Sequence, residues 1–309
     1  MSAADGTAAP DPTGAGRSGG QRPVALVTGA SRGIGRAIAR RLAADGMAVA
    51  AVARSHHEGE GEYAGSLAET VAQIESDGGR AAAFPFDLGD EGQDRAALVD
   101  RVATTLGGPV TVLVHAAAGP LEFDREFPDM TRATFRRCVE INVWAGWDLA
   151  VAAVPGMRRA GAGWILFVSS TQAGPRIGPP YAPNPTRGAT LYGATKAMLD
   201  RVVTGAAMEL HPSGIAVNAL APERQVASAR ALEIDGVRID NSEPEETIAE
   251  AALALCSGDP QKLTGRIAYN LSLLVELGRP VHTLDGRALL PGWQPTDIAP
   301  HRLRTPYLR

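Results

Sequence analysis

The 309-residue sequence is short of cysteine, of aromatic residues and of net charge, and each shortage closes off a class of explanation. Its two cysteines, Cys138 and Cys256, stand far apart and at no metal-ligand spacing, which argues against a disulfide framework or a zinc site and suits a reducing, cytoplasmic setting. Only 5% of the residues are aromatic while 45% are hydrophobic, so the interior must consist of closely packed aliphatic layers. With 30 basic residues against 34 acidic ones the formal net charge is -4, which leaves no electrostatic footprint for nucleic acid or an anionic membrane. No run approaches the roughly 18 apolar residues that span a bilayer. Internal repeats are absent. Residues 1–22, rich in Gly, Ala, Ser, Asp and Pro, lack the apolar centre of a signal peptide and the arginine pattern of a transit peptide, and read as a disordered tail. The expected partner is a small molecule.

What is present is an alternation of two periodicities. Apolar runs suited to buried strands recur at 24–28, 48–53, 81–86, 110–115, 165–169, 215–220 and 267–270. Helical patterns separate them, the clearest at 34–45, 67–76 and 94–106, with apolar positions three or four apart. Strands that alternate with helices imply right-handed crossovers and a parallel sheet covered on both faces. Two connections break the rhythm: 54–65, rich in Gly, Glu and His, and 174–188, where Pro175, Pro179, Pro180, Pro183 and Pro185 forbid a regular helix or central strand. The expected organisation is a tail over 1–22, a catalytic domain over 23–275 and, over 276–309, an arm lying on the domain or on a neighbouring subunit.

Two motifs carry chemistry. Thr28-Gly29-Ala30-Ser31-Arg32-Gly33-Ile34-Gly35 follows the first apolar run and opens the first helix, a strand–turn–helix whose free N–H groups and helix dipole suit a dinucleotide's pyrophosphate. A glycine turn that holds no ligand is the alternative. At the end of the second strand, where the cofactor's 2′ position is read, Ala53 is followed by Arg54 rather than a carboxylate. Arg32 and Arg54 can bracket a 2′-phosphate, which favours NADP(H) with NAD(H) still possible; the alternative is two solvated surface charges. Further on, Tyr192 and Lys196 place a phenol and an ammonium four apart on one helical face, where the cation can depress the phenol's pKa.

These motifs, together with Asp87-Leu88 after the third strand, the Ala117-Ala118-Gly119 turn, Asn142, Ser169-Ser170 and Val217-Asn218 leading to Pro222, stand in one order. In that order the chain resembles the short-chain dehydrogenase/reductase family, in its Thr-Gly-x-x-x-Gly-x-Gly branch, over about 23–270. The resemblance implies a single Rossmann-type doubly wound parallel sheet of order 3-2-1-4-5-6-7. It implies a catalytic set of Asn142, Ser170, Tyr192 and Lys196, with Tyr192 as acid or base, Ser170 on the substrate oxygen, Lys196 on the nicotinamide ribose and Asn142 completing a water-borne proton path. Gly29, Ser31, Arg32, Gly33, Ile34, Gly35, Arg54, Asp87, Leu88, Ala117, Pro222, Tyr192 and Lys196 would hold the cofactor, and no metal is implied. The implied reaction is reduction of a ketone or aldehyde, or oxidation of a secondary alcohol. A catalytically silent dinucleotide sensor or scaffold, or an epimerase or dehydratase of the same family, remain as alternatives. A homodimer or homotetramer is implied too, with Trp144 and Trp147 on its contact helix.

Three departures stand out. His115-Ala116 replaces a pair of asparagines that brace the strand ends, leaving His115 as a structural histidine and local rigidity in question. The Ser170–Tyr192 separation is lengthened by the proline-rich loop, whose Arg176, Tyr181 and Arg187 either meet substrate or form a surface excursion. Pro222 is followed by Glu223 where glycine is usual, so Glu223 and Arg224 are expected to reshape the nicotinamide wall, with an apolar wall at 226–232.

Overall fold

All seven apolar runs enter one sheet. β1 (Val24–Thr28), β2 (Ala48–Ala53), β3 (Arg80–Pro85), β4 (Val110–His115), β5 (Gly163–Val168), β6 (Ile215–Ala221) and β7 (Ile267–Tyr269) lie in the order β3-β2-β1-β4-β5-β6-β7, each neighbouring pair parallel. The computed structural model describes residues 22–60, 64–119, 126–181, 189–226, 242–300 and 303. The expected tail, Arg187 and nearly all of the expected apolar wall at 226–232 lie outside them. Several strand boundaries differ from expectation by one or two residues; among them, β3 ends at Pro85, tolerable in the last position of an edge strand, and β5 begins at Gly163, paired with Ile215.

Eight helices are described: α1 (Gly33–Ala44), α2 (Leu67–Ser76), α3 (Arg95–Leu106), α4 (Arg132–Val139), α5 (Ala145–Ala160), α6 (Ala189–Leu210), α7 (Glu245–Ser257) and α8 (Asn270–Leu277). Their ends follow local chemistry. Ser66, Asp94 and Thr131 accept from the amides of Glu69, Ala97 and Thr134 at the starts of α2, α3 and α4. Side chains alternate across the sheet, so Ala25 and Val27 meet α1, α2, α7 and α8, while Val24 and Leu26 meet the layer of α3, α5 and α6. The inner strands are buried on both faces, which is why their sequences read as continuous apolar runs rather than alternating ones, whereas the edge strand β3 is only partly buried.

The helix α8 crosses the expected boundary at 275/276 and ends at Gly278 (φ 57). Beyond it the chain turns back over α1 and α7. Val281, Leu284 and Ile298 are buried, Gln294 bonds both the amide and the carbonyl of Val281, and Arg287 donates to the carbonyl of Asp77. Glu250 on α7 fastens this segment: Arg41 of α1 donates to it at 2.7 Å and Arg279 at 2.8 Å, with His282 at 3.4 Å. Burial pushes the Glu250 pKa up, but the Arg41 and Arg279 bonds and charges more than offset this and leave it lowered.

Because Arg41 is itself buried, Glu250→Ala leaves an uncompensated guanidinium, and thermal unfolding is expected to show a loss of about 3–5 kcal/mol. A carboxylate with a depressed folded-state pKa stabilises above its unfolded value and less so as pH falls, so the gap between variant and wild type should narrow in acid. A gap that stays constant down to pH 3 would contradict this electrostatic role.

Candidate active site

At the carboxyl edge of the sheet, the turn from Thr28 to Gly33 brings three backbones together. Gly29 has φ 68, and a Cβ there would lie 2.9 Å from the Ala117 Cα and N; a Cβ on Gly35 would lie 2.3 Å from the Gly29 carbonyl oxygen. Only glycine permits both approaches. Arg32 occupies the cap position of α1 without a side-chain cap bond, and the first turn carries no acidic residue, so the amide groups and positive dipole end suit a phosphate. Ser31 is buried and Ile34 half-buried within this turn, and Gly65 returns against it, where a Cβ would come within 2.7 Å of the Ser31 carbonyl oxygen. Since β1 and β2 are neighbours, half-buried Arg32 and exposed Arg54 stand at adjoining strand ends. Following β3, the Asp87 carboxylate accepts from the Gly89 amide, and buried Leu88 gives its carbonyl to Arg95.

The missing asparagine pair is replaced by a different brace. A carbonyl can only accept, so His115 Nε2 carries the proton donated to Ile141 O at 3.0 Å, and Nδ1 accepts from the Thr28 hydroxyl at 3.1 Å. Thr28 Oγ1 in turn accepts from the amides of Ala116 and Ala117 at 3.2 and 3.1 Å. Burial, followed by the charge of Lys196, lowers the His115 pKa to about 3, so the imidazole is neutral. Local rigidity is therefore supplied by Thr28 and His115. The carbonyl that His115 engages belongs to a π-helical turn, Glu140–Trp144, which joins α4 to α5 and holds Asn142.

Asn142 is fully buried. Its Oδ1 accepts from the Gly119 amide at 3.0 Å, and Nδ2 donates to Thr195 Oγ1 at 3.0 Å and to Cys138 Sγ at 3.3 Å. Both N–H bonds are thus committed within the protein, and the side chain braces the 117–119 turn against α6.

α6 carries Tyr192 and Lys196. Gly193 lies against the Gln172 carbonyl, where a Cβ would sit 2.6 Å away, and this close approach sets the helix beside the segment following β5. Tyr192 is half-buried, with the Lys196 Nζ 5.5 Å from its ring centroid. Lys196 is buried and donates to the Val168 carbonyl at 2.7 Å. Burial lowers its pKa to about 8, opposed by Asp200 and then Cys138. The two serines separate cleanly: Ser169 is buried and donates to Asp200 at 2.6 Å, whereas half-buried Ser170 accepts from the Gln172 amide and keeps its hydroxyl proton for another acceptor. No sequence motif singles out Thr195 or Asp200, although Asp200 stands one turn beyond Lys196.

After half-buried Pro222, Glu223 turns inward instead of lining a pocket wall, which corrects that expectation. Its amide donates to Asn270 Oδ1 at 2.8 Å and its carboxylate accepts from the Ser272 hydroxyl at 3.2 Å, joining the end of β6 to the start of α8. Nearby Glu243 is buried, and burial pushes its pKa up to about 8 against the approach of the Arg224 amide, so it is a neutral acid at pH 7. In the proline-rich loop, Tyr181 and Arg176 are exposed, and Arg176 bonds Gln172. Trp144 and Trp147 are exposed on the π turn and the first turn of α5.

The sequence pattern of the family described as short chain dehydrogenase matches residues 23–230. Dehydrogenase/reductase SDR family member 4 of Homo sapiens is 32% identical over 248 residues, which are 80% of this chain and 80% of that protein. The 7alpha-hydroxysteroid dehydrogenase of Escherichia coli is 31% identical over 255 residues, 79% of this chain and 90% of the enzyme. A solved 3-oxoacyl (acyl-carrier-protein) reductase from Agrobacterium tumefaciens, with NADP bound, superposes with a TM-score of 0.65 at 25% identity, covering 81% of this chain and 93% of that one.

A buried base whose folded pKa of about 3 lies below its ordinary 6.5 stabilises the fold above pH 6.5 and loses that contribution as pH falls toward 3. His115→Asn removes the titrating group, so the difference in Tm between variant and wild type should change across this acid window and stay level above it. Parallel Tm curves from pH 7 to pH 4 would show that His115 is not held neutral.

Proposed function

The chain belongs to the short-chain dehydrogenase family, and from that premise we propose that it is an NADP(H)-preferring oxidoreductase in which Tyr192 exchanges a proton with the oxygen of a carbonyl or secondary alcohol. The observation that carries the reading is the Tyr192–Lys196 pair, with a buried ammonium 5.5 Å from the ring of a half-buried phenol. The glycine cradle and the uncapped α1 start fit a dinucleotide, which when bound supplies or takes up the hydride that interconverts a carbonyl carbon and a carbinol. Backbone amides at Gly33–Gly35 would hold the pyrophosphate, and Arg32 and Arg54 the 2′-phosphate. Asp87, Leu88, Ala117 and Pro222, at the ends of β3, β4 and β6, would line the remainder of the cradle.

Free phenol has a pKa near 10 and is a poor base at neutral pH. The Lys196 ammonium favours phenolate, which lets Tyr192 take a proton from an alcohol or return one to a developing alkoxide. Ser170, with its hydroxyl proton uncommitted to Gln172, donates to the same oxygen and stabilises its charge. Asn142 acts by position, holding the Gly119 turn against Thr195. The relatives named for hydroxysteroid and 3-oxoacyl substrates support an apolar carbonyl compound as substrate. Trp144, Trp147 and Val151, exposed together, supply a face through which two copies would associate.

Tyr192→Phe is expected to cut hydride transfer by orders of magnitude while NADPH still binds, as read from nicotinamide absorbance and fluorescence; near-normal turnover would remove Tyr192 from the mechanism. Arg54→Ala should weaken NADPH by roughly tenfold to a hundredfold, the worth of hydrogen bonds to a charged group at about 1.5–3 kcal/mol, and leave NADH nearly unchanged. Equal losses for both cofactors would dismiss the 2′-phosphate contact.

A further inference from the structure

Three consecutive residues at the end of β5 have different partners. Val168 gives its carbonyl to Lys196 at 2.7 Å, Ser169 gives its hydroxyl proton to Asp200 Oδ1 at 2.6 Å, and half-buried Ser170 accepts from the Gln172 amide at 3.2 Å. Asp200 is buried on α6, four residues after Lys196 and so on the same helical face. One carboxylate thus touches both halves of the site: the ammonium through its charge, and the strand end through Ser169. We propose that Asp200 is a positioning residue of the Tyr192–Lys196 acid–base pair. It keeps the Lys196 ammonium charged beside the phenol and, through Ser169, fixes the strand end that supplies the Val168 carbonyl and the Ser170 hydroxyl.

The electrostatic balance shows why such a group is needed. Lys196 is fully enclosed, and the groups that face it are Asp200 and Tyr192 from α6, Cys138 from α4 and neutral His115 from β4. Burial alone drives an ammonium toward neutrality, and Asp200 is the leading opposing influence, yet the pKa still falls to about 8. Without the carboxylate the amine would give up its proton within the neutral range, and a neutral amine does nothing to stabilise phenolate. The ammonium favours phenolate only while it keeps its proton, so Asp200 governs what Lys196 can do for Tyr192.

The inference rests on Tyr192 being the proton donor, and its test separates the two claims. Asp200→Asn keeps an oxygen for the Ser169 hydroxyl and removes the charge, whereas Ser169→Ala keeps the charge and removes the bond. Tyr192 ionisation is read by ultraviolet difference against matched Tyr192→Phe backgrounds, without substrate, alongside the pH profile of alcohol oxidation. Asp200→Asn is expected to move the phenolate signal to higher pH and to lower oxidation at pH 7.5 about tenfold for each unit moved. Asp200→Glu should restore the pH position, and Ser169→Ala should lower kcat with the profile in place. Should Asp200→Asn fail to fold by circular dichroism, Asp200→Thr is the second neutral replacement. An unshifted phenolate signal and pH profile in a folded neutral variant overturns the inference, even where Tyr192→Phe is inactive. A shifted signal in a protein with no turnover supports the inference and counts against the oxidoreductase reading instead.

Discussion

A single neutral imidazole ties together the parts on which the site depends. His115 accepts from Thr28 at the end of β1 and donates to Ile141 in the π turn, and it does so from the end of β4, so three elements distant in sequence are held at one point. The wider turn holds Asn142, whose amide reaches the Gly119 backbone and Thr195 on α6. The same Thr28 hydroxyl holds the chain at Ala116 and Ala117, against which Gly29 packs without room for a side chain. A charged ring would lose the Thr28 bond, since both nitrogens would then donate and the Thr28 oxygen already accepts from two amides. The arrangement therefore requires the lowered pKa that burial imposes.

On the other flank of the site, chemistry depends on an opposite demand. Lys196 has to remain charged in the enclosure that keeps His115 neutral, and its carbonyl partner Val168 cannot supply a compensating charge. The carboxylate of Asp200 lies within the same enclosure. Two ionisable groups in one buried region are thus driven to different states by their neighbours: an imidazole satisfied by neutral partners, and an ammonium supported by an anion. Such a division places the half-buried Tyr192 phenol next to a fixed positive charge.

The sheet was legible because its inner strands are buried on both faces and read as unbroken apolar runs, and because Thr28–Gly35 and Tyr192–Lys196 are local patterns. What could not be read depends on partners far along the chain. His115 finds Thr28 across 87 residues, Glu223 finds Ser272 across 49, and Ser169 finds Asp200 across 31. Glu223 was expected to reshape the nicotinamide wall because it stands where glycine is usual after Pro222; it turns inward because Ser272 at the start of α8 offers it hydrogen-bond donors. The burial of Asn142 follows from its contact with Thr195 on α6, which no local pattern reports.

The most direct test of hydride transfer uses NADPH deuterated at the transferable position of the nicotinamide, incubated with an apolar ketone, with the product analysed by mass spectrometry. One deuterium on the new carbinol carbon per turnover, with the hydroxyl hydrogen exchanging with solvent, is the predicted result. A product whose carbinol hydrogen comes from water, or tight cofactor binding with no labelled alcohol from any ketone across a broad size range, would contradict the account.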